Sequence, residues 1–81
     1  MLVDINGFIA KLEIEFEDIA PGTLLPSTNL RELDIWDSMH ALILIALVDI
    51  EYDVTITADE IAGVGTIQDI FNIVLEKYGT D

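Results

Sequence analysis

Residues 41–48 read Ala-Leu-Ile-Leu-Ile-Ala-Leu-Val, apolar at every position, and Trp36-Asp37-Ser38-Met39-His40 stands directly ahead of them. This run constrains the chain more than any other segment. It is too short to cross a bilayer, which needs about 20 apolar residues, so it must be accommodated in a globular domain. Aspartate and serine are common helix N-caps, and the pattern predicts a helix over residues 38–52. A helix of a small bundle needs only one apolar stripe, yet two can be drawn here. Ala41, Leu44, Ile45, Val48 and Tyr52 form one face, and His40, Ile43, Leu47 and Ile50 fall on another at helical spacing. The first is the expected core face. For the second, two readings stand side by side: a cover of loop leucines or a short third helix, or a docking stripe for partner proteins.

The flanking segments supply the rest of an all-α chain. Ile5, Phe8, Ile9, Leu12 and Phe16 recur at helical spacing and predict a first helix over about residues 3–18. Pro21-Gly22 and Pro26-Ser27 punctuate a long connection to Trp36. Its Leu24, Leu25, Leu30, Leu33 and Ile35 are expected to pin it to the core. Val54-Thr55-Ile56-Thr57 alternates but has no second strand to pair with, so it reads as an extended link. Thr57 and Glu60 have capping-box spacing and open a short helix that Gly63 and Gly65 end. Thr66 caps a last helix, with Asp69 in its first turn, a buried stripe of Ile67, Ile70, Phe71, Val74, Leu75 and Tyr78, and Gly79 as its stop.

Composition narrows the function classes. The 81 residues fit one domain, 1–81, and a hydrophobic content of 52% argues against disorder. There is no cysteine, hence no disulfide framework and no thiolate metal site. Sixteen acidic residues against three basic ones give a net charge of -13. Nucleic acid and anionic membrane surfaces are disfavoured, since no basic face replaces their counterions. A basic protein partner would be steered in, although acidity also serves solubility alone. Met1-Leu2-Val3-Asp4-Ile5 shows no secretory pattern, and a cytoplasmic location is the expectation.

Little here resembles an active site. Ser38 and His40 are two apart on a helix and point to different sides, so the imidazole cannot serve the hydroxyl as a base. No glycine-rich phosphate loop is present. Residues 49–60 place oxygen-bearing side chains at spacings like those of an EF-hand calcium loop, but Val54 occupies the position that needs glycine. An exposed hydroxyl at a helix start is nonetheless a good attachment point for a phosphate-linked group, because helix N-termini favour anions.

The order of these features resembles the acyl carrier protein family across nearly the whole chain: an acidic first helix, a long loop, Asp37-Ser38-Met39 opening an apolar helix, a short third helix, and Thr66-Ile67-Gln68-Asp69 beginning the last. Residues 47–54 are similar to the family's end of the second helix. The resemblance implies a four-helix bundle of acyl-carrier type, with three main helices, one short third helix and a long first loop. It implies that Ser38 carries 4'-phosphopantetheine, added from coenzyme A by a phosphopantetheinyl transferase, with Asp37 aiding recognition. The arm would hold acyl groups as thioesters for acyl-loading, modifying and transferring enzymes, and the protein would be a non-catalytic monomer without metal. Trp36, Met39, His40, Ile43, Leu47 and Ile50 are the candidate partner-docking residues. Ile35 stands where many members have glycine, and Ile43 and Ile50 stand where fatty-acid carriers show acidic residues. These departures point to a specialised lipid, polyketide or other secondary pathway. An acidic helical interaction module without cofactor is the alternative, and an EF-hand-like calcium binder the third reading.

Overall fold

The computed structural model describes residues 4–17, 19, 22–34 and 36–78. Val3 and Asp18 as helix ends, Pro21 as a loop break, Ile35 as a loop anchor and Gly79 as a stop lie outside the described residues. Among the described residues there are four α-helices and no strand: α1 Ile5–Glu15, α2 Ser38–Tyr52, α3 Ala58–Ala62 and α4 Ile67–Tyr78, with a single 3-10 turn at Leu30–Glu32. The all-α expectation holds. No helix is long and apolar enough to cross a membrane among the described residues.

Asp4 caps α1, its carboxylate accepting from the Gly7 N–H at 2.8 Å. The helix is shorter than its periodicity predicts, because Phe16 leaves the helical conformation while its ring stays fully buried. The Glu13 carboxylate then accepts from the N–H groups of Gly22 and Leu24 at 2.9 and 3.0 Å, drawing the long connection back along α1. Farther on, the connection is stitched to the start of α4. Ile67 N–H donates to the Thr28 carbonyl and Gln68 N–H to that of Pro26, at 3.0 and 2.9 Å, and Leu30 N–H donates to Gly65 at 3.2 Å. Helix-start amides that would otherwise lack partners are thereby satisfied. Leu24 and Leu30 are buried as expected and Leu33 packs against the core. Leu25 is not an anchor: it is 58% exposed, because a tight turn with Thr28 points it outward.

α2 touches each of the other three helices. That central position decides which way its apolar surface turns. Leu44, Leu47, Val48 and Tyr52 are buried, Ala41, Ile43 and Ile45 are half-buried, and Met39, Leu42, Ala46 and Ile50 face out. The exposed stripe thus runs through 39, 42, 46 and 50 and not through 40, 43, 47 and 50. Leu47, expected on the outer stripe, belongs to the core; packing against the neighbouring helices rotates it inward.

Asp53 ends α2 in the left-handed region at φ 55°, its N–H donating to Asp49. The link then buries Val54 and Ile56 and exposes Thr55. Both halves of the Thr57–Glu60 capping box form, at 3.2 and 3.0 Å. Thr66 Oγ1 accepts from Asp69 N–H at 3.1 Å, while the Asp69 carboxylate accepts from Gly65 and Thr66 N–H. Ile67, Ile70, Phe71 and Val74 are buried, but Leu75 lies at the rim, 38% exposed. The core centres on Phe8, whose ring lies 5.3 Å from Phe71 and 6.0 Å from Tyr52.

Candidate functional site

The start of α2 is tied together by Asp37 and His40. Asp37 has extended backbone, and its carboxylate oxygen Oδ1 accepts from the His40 N–H at 2.9 Å. The same oxygen lies 2.7 Å from His40 Nδ1. The His40 side-chain bond, and then its backbone N–H, hold the Asp37 carboxyl below the usual carboxylate range. The His40 ring stands edge-on to Phe16 at 5.1 Å, and Trp36 lies 6.3 Å from Phe16. Phe16 is therefore a wedge between the residues on either side of Asp37 and Ser38. His40 and Trp36, expected to meet partners, are half-buried and serve first to hold this turn.

Ser38 is the first residue of α2 and is exposed. Among the described residues its hydroxyl has no hydrogen-bond partner, and His40 Nδ1 is engaged by Asp37.

Ser38 lines a cleft of about 380 Å³ between the start of α2 and α3. Trp36, Asp37 and Ala41 flank it on one side, Ala58, Ile61 and Ala62 on the other, and Arg31 lines it as well. Arg31 is set by the 3-10 turn, where the Asn29 side chain accepts from the Arg31 N–H at 3.0 Å. Its guanidinium donates to the carbonyls of Ala62, at 3.0 Å, and Val64, where α3 ends. Sequence reading passed over Arg31. The available signal was that it is one of only three basic residues in a chain of charge -13, seven positions ahead of Ser38.

A second groove, of about 450 Å³, lies between α1 and α2 and excludes Ser38. Lys11, Ile14 and Glu15 line it from α1, and Ile43, Ala46, Leu47, Ile50 and Glu51 from α2. Leu47, 5% exposed, is its floor, whereas Ile50 and Ile14 are 77% and 72% exposed. Of the expected docking residues, Met39 and Ile50 stand fully in the open, and Ile43 is half-covered. Leu42 and Ile14 are exposed apolar residues that the helical stripes had left out. Ile14 could have been noticed, since it falls off the Phe8–Leu12 face.

The calcium-loop spacing does not form a loop. Asp49 and Glu51 belong to the last turns of α2, and Val54 is buried. Among the described residues no group of three or more histidine, aspartate or glutamate side chains is placed to hold a metal ion. The chain matches no protein-family model, no curated protein and no solved structure.

Proposed function

We propose that this chain is a non-catalytic acyl carrier whose working residue is Ser38, loaded with 4'-phosphopantetheine by a separate phosphopantetheinyl transferase. The observation that carries the reading is the placement of Ser38: an exposed hydroxyl at the first position of α2, lacking a base, on a cleft that holds both apolar wall and a guanidinium. In the loading step the Ser38 Oγ–phosphorus bond forms and the phosphorus–oxygen bond to the nucleotide half of coenzyme A breaks. The adenosine bisphosphate leaves, and the hydroxyl proton passes to the transferase. When bound, the arm supplies the thiol that a cysteine-free chain lacks, and that thiol holds an acyl group as a thioester.

The residues present fit such a group. The amides at the start of α2 favour a phosphodiester. Asp37 and His40 tie the backbone of that first turn, from which the Ser38 side chain projects. The exposed stripe of Met39, Leu42 and Ile50 gives acyl-loading, modifying and transferring enzymes an apolar surface close to the arm. Its apolar character supports a specialised pathway over bulk fatty-acid synthesis.

Intact mass after incubation with coenzyme A and a broad-range transferase tests the reading. A mass gain that Ser38→Ala abolishes is expected; a folded chain that never gains it refutes the proposal. The exposed isoleucines around the α1–α2 groove favour one further reading, an acidic interaction module without cofactor. That module would bind its partner equally well with Ser38→Ala.

A further inference from the structure

We propose that the groove between α1 and α2 holds a basic amphipathic helix of a partner protein, docked independently of Ser38. This goes beyond the carrier reading, since the groove neither includes Ser38 nor needs an arm on it.

The shape of the groove selects a helix. α1 and α2 run antiparallel there: Phe16, just after α1, meets Trp36 and His40 at the start of α2, while Lys11 lies over the ring of Tyr52 at its far end. Two neighbouring helices leave a furrow for a third, and helix-in-groove docking uses apolar anchors at i, i+3 or i+4 and i+7. Along α2 the groove runs from Ile43 to Glu51, about 12 Å or two helical turns, which matches that repeat. Leu47 is its floor, and Ile14 and Ile50 are largely exposed walls. Ala46, also exposed, leaves the furrow open where a larger side chain would fill it.

Charge selects a basic helix. Each end of the groove carries a carboxylate beside a helix C-terminus. Glu15 is the last residue of α1 and Glu51 lies in the last turn of α2, and neither helix has a basic residue in its last turn. A helix C-terminus carries about half a negative charge, so carboxylate and dipole add at both ends. α4 differs, with Lys77 in its last turn. Lys11 is the cation lining the groove, and its ammonium lies 5.9 Å from the Tyr52 ring centre. A helix with apolar anchors over Ile14, Leu47 and Ile50, and with lysine or arginine at both ends, meets complementary charge. A second copy does not, because two chains of charge -13 repel each other.

Ile50 and Glu51 stand about 18–20 Å along α2 from Ser38. A partner seated here holds the chain in place while Ser38 stays open to another protein.

Fluorescence anisotropy at about 0.15 M salt, where charges beyond about 8 Å are screened, provides the test. The probe is a fluorescein-labelled helical peptide with leucine at i, i+4 and i+7 and lysine at both ends. One control peptide shuffles the same residues so that the leucines share no face, and another carries glutamate in place of lysine. The probe should bind at least about tenfold more tightly than either control. Ile14→Ser and Ile50→Ser, at exposed positions, should each weaken it about tenfold, the worth of covering one such side chain. Ser38→Ala should bind it as the unaltered chain does. NMR methyl signals of Ile14, Ile43 and Ile50 should shift on adding the probe, and that of Ile61, in the cleft beside Ser38, should not. Equal affinity for the shuffled or the glutamate peptide overturns the proposal, as does undiminished binding by both serine variants. Loss of the probe in Ser38→Ala, or shifts confined to Ile61, also overturns it. Self-association in sedimentation that Ile50→Ser abolishes would make a second copy the occupant and overturn it as well. Mass gain at Ser38 is a separate measurement, so the carrier reading and this proposal fail independently.

Discussion

Replacing Leu47 and Ile50 separately by alanine puts the orientation of α2 to a quantitative test. The two residues are three apart, equal in size, and share a helical stripe in the sequence, yet they are 5% and 77% exposed. Truncating a buried leucine costs about 2–5 kcal/mol. Leu47 floors an open groove, where neighbours and water can relax into the gap, so about 2–3 kcal/mol is expected. For Ile50 only about a quarter of the side chain is covered. At about 1.5–3 kcal/mol for full burial, its loss is worth about 0.4–0.7 kcal/mol. Alanine returns a few tenths as the better helix former, leaving a net effect near zero. An 81-residue chain has a total stability of about 4–12 kcal/mol. Each kcal/mol moves the melting temperature by about 4–8 °C at this size. Thermal melts should therefore fall by about 8–24 °C for Leu47→Ala and by under about 3 °C for Ile50→Ala. Urea titrations should show a lower midpoint for Leu47→Ala at unchanged slope. Equal losses in the two variants would refute the reasoning, since Ile50 would then be covered and the apolar stripe beside Ser38 would not be open.

Two further outcomes follow from single contacts. The N–H groups of Leu24 and Gly22 hold the Glu13 carboxyl below its ordinary value, so its contribution is present above about pH 4.3 and is lost as pH falls through the lower folded value. Glu13→Gln should melt below the parent at neutral pH, and the gap between the two should narrow below about pH 4.3 and close as pH falls through the lowered folded value; a gap independent of pH would sink this account. Asp53 adopts a left-handed conformation at φ 55°, which costs L-residues about 1–2 kcal/mol relative to glycine. Asp53→Gly should gain about 0.5–1 kcal/mol after glycine's entropy in the unfolded chain, read as a rise of a few degrees in melting temperature.

The candidate site was legible in part. Asp37 as a cap and Ser38 as an exposed helix-start hydroxyl follow from their neighbours, because a cap is a contact between residues two or three apart. The cleft that gives Ser38 its setting was not legible. Its far wall comes from α3, and its cation is fixed by carbonyls 31 and 33 positions later in the chain. Nor was the second role of His40 and Trp36, which depends on Phe16 arriving between them from the end of α1.

The same division runs through the whole molecule. The sequence by itself determined what short-range physics decides: the caps at Asp37, Thr57 and Thr66, the buried faces of α1 and most of α4, and the alternation that sends Val54 and Ile56 inward. Those helices are amphipathic, so their periodicity says which side is wet. α2 is apolar nearly all round, so its periodicity marked the face of Leu44, Val48 and Tyr52, now buried, but left the second stripe undecided. Packing against α1, α3 and α4 split that stripe, turning Leu47 in and leaving Ile50, with Met39, Leu42 and Ala46, to solvent.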